Sequence, residues 1–199
     1  MERQSYKPLS MRKASDDLSY RGPVATIPGP VRSDSPAVAV MTDLSRVPAA
    51  TVGIDATAHQ ATQAMISRGV RMLLVMDGEE RMLGLITAWD TMGEKPIQRI
   101  REHGGRHADL TVADLMTPLS QVDVIDLDTV LHAEVGHVLA TLREAGRQHA
   151  LVVVKDDQTG LDQVRGIFSA TQIARQLGIA LPSFNAARTF AEIEETLAH

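Results

Sequence analysis

Cysteine is absent from this 199-residue chain, which removes disulfides, thiolate metal sites and cysteine nucleophiles together. Aromatic residues are scarce, three Phe, two Tyr and one Trp. That is too few for the stacking platforms that hold single-stranded nucleic acid. No apolar run approaches the ~18 residues of a spanning helix, and Met1–Ser10 lacks the apolar core of a signal peptide. Charge of one sign is also missing in bulk: 20 Lys+Arg against 25 Asp+Glu give a net charge of −5. The arm Met1–Asp34 carries +2 and the remainder −7, so the folded part offers no basic face for nucleic acid as a polymer. A Gly-Lys-Ser/Thr phosphate loop, a Gly-x-Gly-x-x-Gly turn and a Gly-x-Ser-x-Gly elbow are all lacking. His103 and His107 have helical metal-pair spacing, but Gly104 and Gly105 between them oppose a helix, and His132 and His137 share no face. The expectation is a soluble, cytoplasmic protein that is not an enzyme, with no metal, membrane or nucleic-acid partner.

What the chain has is a repeat. One copy runs through Ala61–Met65 and Gly69–Val75 to Gly84–Asp90, the other through Val138–Leu142 and Gly146–Val152 to Gly166–Gln172. Gly69 and Gly146 stand 77 positions apart and Gly84 and Gly166 stand 82 apart, so the second copy carries a small insertion. A unit of this size buries its apolar face against its twin, and the cleft between copies becomes the natural ligand site.

Each copy reads strand–helix–strand–strand–helix. Ser35–Pro36 looks like an N-cap followed by proline at the first helical position, opening a short helix through Val40–Met41. Thr51–Ile54 reads as a strand, and Ala58, Ala61, Met65 and Ile66 recur at helical spacing before Gly69 closes the helix. Arg71–Met76 and Leu83–Ile86 are strands joined by a turn at Asp77–Gly78. Short helices follow near Thr87 and after Pro96, up to the Gly104–Gly105 break. The second copy repeats the order with a lead-in helix over Thr111–Met116, a strand over Val122–Asp126 and a helix stripe of Val135, Val138, Leu139 and Leu142. Strands at His149–Val154 and Val164–Phe168 and a closing helix through Ile173 and Leu177 complete it. Residues 1–34 read as a disordered arm, 35–105 and 106–178 as the two repeats, and 179–199 as an extension. Within that extension, Phe190, Ile193 and Leu197 share one face of an amphipathic C-terminal helix, which packs either on the module or across a dimer seam.

The motif that carries chemistry is Gly84–x–x–Thr87–x–x–Asp90, at a strand–helix junction. Gly84 lets a ligand or a neighbouring backbone come close. Thr87 sits where the helix begins, with free amides behind it, and Asp90 lies one turn on from the same face. An ionised Asp90 can accept both hydroxyl protons of a vicinal diol, as in a ribose, with phosphate near Thr87. Alternatively, Thr87 is a plain N-cap with Asp90 in the favourable first turn.

The repeat, with Val40–Met41–Thr42 before one copy and Leu115–Met116–Thr117–Pro118 before the other, resembles a tandem cystathionine β-synthase (CBS) domain pair, or Bateman module, over about residues 35–178. That resemblance implies an α+β fold, each repeat a three-stranded sheet with two helices, the two packed about a pseudo-two-fold axis. It implies homodimers and a regulatory adenosine-containing ligand, AMP, ADP, ATP or S-adenosylmethionine, with no catalytic cofactor and an unidentified regulated protein as partner. It places the ribose carboxylate on Asp90 and the hydroxyl on Thr87, and the base beside Met72, Leu73, Leu74, Val52 and Ile54. Arg71 falls where the family often faces phosphate with a basic residue, or else is a surface cation. In the second copy Ser169 keeps the hydroxyl, but Gln172 replaces the carboxylate and gives up charge assistance. The expectation is one good site and a weaker second one, where Arg147, His149 and Arg165 could compensate. A satisfied histidine is the alternative for His149. The competing reading is a structural dimerisation scaffold without a ligand.

Overall fold

In the computed structural model, residues 31–79 and 81–179 are described; the N-terminal arm as far as residue 30 and the expected C-terminal helix lie outside them. Two four-stranded sheets form the centre. The first half contributes β1 (Thr42–Asp43), β2 (Thr51–Gly53), β3 (Met72–Met76) and β4 (Met82–Thr87). The second half contributes β5 (Thr117–Pro118), β6 (Val124–Asp126), β7 (His149–Lys155) and β8 (Asp162–Ser169). The strand orders are β2-β3-β4-β5 and β1-β8-β7-β6. Each sheet therefore takes its short fourth strand from the segment that leads into the other repeat. Thr117 and Pro118 pair with Leu85 and Gly84, while Thr42 and Asp43 pair with Ile167 and Gly166. The exchange is reciprocal, as a pseudo-two-fold arrangement of duplicated units requires.

The lead-in segments also fill each other's cores. Ala37 and Val40 are buried with Val130, Val135, Leu142, Phe168 and Ile173 of the second repeat. Val112 and Leu115 are buried with Ala61, Met65, Leu73, Val75 and Ile86 of the first. A third cluster, Met72, Leu74, Leu85 and Leu151, lies between the sheets. This accounts for strands that are apolar at consecutive positions: Leu73 and Val75 face the helices while Met72 and Leu74 face the other repeat.

Helix α1 (Ala58–Arg68) starts at a capping box in which Thr57 Oγ1 accepts the Gln60 N–H at 3.1 Å and the Thr57 N–H donates to Gln60 Oε1 at 2.8 Å. It ends at Gly69, whose φ of 63° is the left-handed C-terminal conformation that favours glycine. Ala58, Ala61 and Met65 are buried, but Ile66 is 67% exposed, because it sits about 100° round the helix from Met65. Helices α2 (Ala88–Met92) and α3 (Lys95–His103) follow β4, with Pro96 in the first turn of α3. The second half holds α4 (Val112–Leu115), α5 (Leu127–Leu131), α6 (Val135–Glu144) and α7 (Ala170–Gln176).

Several local expectations change. The first lead-in is a 3-10 turn, Ala37–Val40, and the Ser35 hydroxyl accepts the Arg32 N–H at 2.9 Å instead of capping a helix. Pro118 does not merely end a helix but pairs in the first sheet. The insertion in the second copy lengthens its hairpin, with strands of 7 and 8 residues against 5 and 6 in the first. Among the described residues no helix is long and apolar enough to cross a membrane, and no group of three His, Asp or Glu could hold a metal ion.

Candidate functional site

Both repeats end their hairpin at a strand–helix junction, β4 to α2 and β8 to α7, and the two junctions are built differently. At the first, Thr87 and Asp90 form a reciprocal capping box. Asp90 Oδ2 accepts the Thr87 N–H at 2.8 Å and its hydroxyl at 2.7 Å, and Asp90 N–H donates to Thr87 Oγ1 at 3.4 Å. Asp90 Oδ1 accepts from Lys95 Nζ at 2.9 Å, and the same ammonium donates to the Met116 carbonyl at 3.3 Å. Asp90 is 8% exposed, so the motif carboxylate is buried with both oxygens engaged inside the chain. Gly84 admits a neighbouring backbone and not a ligand: a Cβ there would overlap the Thr117 carbonyl oxygen.

The second junction opens on a cavity of about 230 Å³ between the repeats. Its walls come from three segments: Thr42, Leu44 and Val47–Ala50; Gly69–Met72; and His149, Ile167, Ser169, Thr171, Gln172 and Arg175. Arg71 reaches across from the first repeat and donates to Thr171 Oγ1 at 3.1 Å. Thr42 donates its hydroxyl to Gln172 Oε1 at 3.3 Å. Arg71 and Arg175 line the same cavity, and burial followed by the Arg175 charge pulls the Arg71 pKa below its ordinary value. Desolvation first, then the Arg71 charge, pushes the His149 imidazole down to about 4 against the opposing pull of Asp90. The ring is therefore neutral at neutral pH.

Two further features flank this cavity. A space of about 110 Å³ beside the first junction is lined by Leu85, Val122, Asp123, Arg147 and His149 among others, and neither Thr87 nor Asp90 lines it. An open groove of about 320 Å³ joins Arg71, Thr87, Ala88, Trp89, Met92 and Gln148.

Of the residues that the sequence singles out, Arg71, Met72, His149, Ser169 and Gln172 come together around the 230 Å³ cavity. Leu73, Val52 and Ile54 pack in the first repeat's own core, and Leu74 packs between the sheets. Arg165 is spent elsewhere: its guanidinium grips both carboxylate oxygens of Asp43 across the β1–β8 pair, the second at 3.2 Å. That grip, with Ser45 adding a hydrogen bond, holds the Asp43 carboxyl at about 2. Arg147 donates to the Gln121 carbonyl at 3.3 Å. Sequence reasoning missed Arg175, Thr171, Thr42 and Lys95. Arg175 was within reach, lying three residues after Gln172 on the same helical face. Lys95 was not, because Gly93 breaks the chain direction between it and Asp90.

Comparison with known proteins finds likeness in part of the sequence and in the fold. The CBS domain model matches residues 38–94. No curated protein matches the chain in sequence. Among solved structures, an uncharacterized conserved protein from Pyrococcus horikoshii is 19% identical, covers 77% of this chain and 100% of its own, and superposes with a TM-score of 0.52. A CBS-domain containing protein from Agrobacterium tumefaciens is 17% identical over 69% of this chain and 93% of its own, with a TM-score of 0.48. CBSX2, solved in complex with AMP, is 19% identical over 71% of this chain and 94% of its own, with a TM-score of 0.49. At these identities the likeness is one of fold. The CBS domain model thus covers the first repeat, and the second repeat is built to the same plan, in a fold shared with the Pyrococcus structure.

Proposed function

We propose that this chain is a non-catalytic regulatory module that binds an adenosine-containing ligand between its repeats, in the cavity at the Ser169–Gln172 junction. The observation that carries the reading is the make-up of that cavity. Two guanidiniums, Arg71 and Arg175, share it with the hydroxyls of Thr42, Ser169 and Thr171 and the amide of Gln172, against an apolar wall that includes Leu44, Val47, Pro48, Met72 and Ile167. A base fits the apolar wall, the Gln172 amide can hydrogen-bond a ribose, and two arginines suit phosphate oxygens. Among the described residues no carboxylate lines the cavity. A phosphorylated ligand such as AMP, ADP or ATP is therefore favoured over the cationic S-adenosylmethionine. Ligand contacts would span both repeats, so binding would favour one relative arrangement of the halves, which a regulated partner protein could read.

Calorimetric titration of the full chain with AMP, ADP, ATP and S-adenosylmethionine tests this. The expected result is saturable binding of a phosphorylated ligand that weakens about tenfold or more in Arg175→Gln, as loss of one charge-assisted hydrogen bond predicts. Flat titrations at millimolar concentration for every compound would overturn it.

A second reading, a homodimerisation scaffold, is favoured by a separate observation. Trp89 and Met92, one helical turn apart on α2, are 59% and 61% exposed and line the same open groove. Burial of such a pair against a second copy predicts a dimer in sedimentation velocity that Trp89→Glu dissociates.

A further inference from the structure

The two junctions differ by one internal cation. Lys95 is the first residue of α3, and its ammonium lies 2.9 Å from Asp90 Oδ1 and 3.3 Å from the Met116 carbonyl. In the other repeat the counterparts of Asp90, Met116 and Thr117 are Gln172, Met41 and Thr42. There Gln172 meets the Thr42 hydroxyl, and both line the open cavity. Lys95 thus approaches Asp90 from the lead-in side, the side on which the second junction opens. Its backbone is placed by the helix it starts, with Pro96 in the same first turn, and the ammonium is held by those two contacts.

We infer that Lys95 is a tethered occupant of the Asp90 junction, a specificity-determining residue that takes the carboxylate oxygen a ribose hydroxyl would need. The chain then holds one ligand, at the Gln172 junction, and the junction with the better diol acceptor is closed. The identity of the excluded group as a ribose rests on the function proposed above; the closure does not. A neutral hydroxyl that replaces an ammonium on a buried carboxylate exchanges a charge–charge contact for a weaker one. It must also turn the displaced ammonium, whose side chain is 39% exposed, out to solvent, losing its contact with Asp90. The expected penalty for binding at this junction is about tenfold or more in affinity.

The test uses adenosine, which has the diol and no phosphate, and reads the fluorescence of Trp89, the residue before Asp90 and the single tryptophan of the chain. The wild type should give no saturable response to adenosine at millimolar concentration, whereas Lys95→Met should respond at concentrations at least about tenfold lower. Lys95→Arg should stay closed, and the response should vanish in Lys95→Met/Asp90→Asn. A folded Lys95→Met protein without a response, or a wild type that answers adenosine as tightly through Asp90, would overturn the inference. Should Lys95→Met not fold, amine acylation of the wild type followed by mass spectrometry decides the matter. Lys95 should acylate more slowly than exposed Lys155 whether or not adenosine is present, and acceleration by adenosine would show that Lys95 is displaced. AMP titration of wild type and Arg175→Gln, run alongside, reports on the other junction. Its failure would remove the proposed function and leave the adenosine comparison standing.

Discussion

Replacing His149 by methionine should remove most of the protein's sensitivity to mild acid. His149 begins β7 at the position that Met72 holds in the first repeat, and it lines the central cavity near Arg71 and Asp90. Its pKa falls from 6.5 to about 4, chiefly through desolvation. The unfolded chain therefore binds more protons than the folded one between these two values. Stability is fully present above the unfolded pKa and declines as pH falls through the window. At 1.36 kcal/mol per unit, the loss at pH 5 comes to about 2 kcal/mol relative to pH 7.5. With a urea slope of roughly 1–3 kcal/mol/M, that moves the unfolding midpoint by about 1 M. Urea melts followed by circular dichroism at pH 7.5, 6 and 5 give the measurement, and the comparison stops above the range where carboxylates lose their partners. His149→Met keeps an apolar side chain that its twin position already accommodates, so its midpoint should move much less. Equal acid losses in wild type and His149→Met would show that the ring is not desolvated and would refute the assignment.

The glycines and the first junction give two further expectations. Gly84→Ala should cost about 1–3 kcal/mol in thermal melts, because the added carbon meets the fixed Thr117 backbone; Gly166→Ala meets only the movable Met41 side chain and should cost less. Gly53→Ala, with nothing within 4 Å, is the control and should be close to neutral. Asp90→Ala should lower stability by about 1–3 kcal/mol with no ligand present, because it strips the α2 cap and leaves Lys95 without its carboxylate. Equal melting of Asp90→Ala and wild type would show that the capping box and ion pair contribute nothing.

The repeat, the strand–helix order and the two helix stops at Gly69 and Gly146 were legible because they depend on local rules. Apolar spacing fixes a helix face, and a left-handed residue after the last turn calls for glycine. The exchanged strands were not legible. Thr42–Asp43 and Thr117–Pro118 are only two residues long, and nothing local to them says which sheet they will join. Their partners are set by packing of Val40 and Leu115 into the opposite cores. The short α5 helix was also missed, since Val130 is its one buried side chain and leaves no periodic stripe. At the candidate site, the motif marked the two strand–helix junctions, but the charge of a motif residue does not say what neutralises it. Asp90 looked free because its partner arrives from another helix.

The inequivalence of the two junctions follows from the same exchange of lead-in segments. Because Thr117 and Pro118 pair in the first repeat's sheet, with Met116 just before them, a cation on α3 can bridge Asp90 to the second repeat's lead-in, and Lys95 does so. At the other junction no such cation bridges Gln172 to Met41 among the described hydrogen bonds; the lead-in offers a hydroxyl from Thr42, and positive charge enters instead from Arg71 and Arg175 along the cavity wall. One junction thus has its negative charge answered within the chain, while the other gathers positive charge around open space. A duplicated unit with two identical clefts would bind two ligands with one affinity. Under the proposed function, a ligand entering the Gln172 junction would act on a module whose other junction is already latched by the Lys95–Asp90 contact. If that latch transmits the signal, Lys95→Met should weaken AMP binding at the Gln172 junction as well as open its own, and an unchanged AMP affinity there would show the two junctions to be independent.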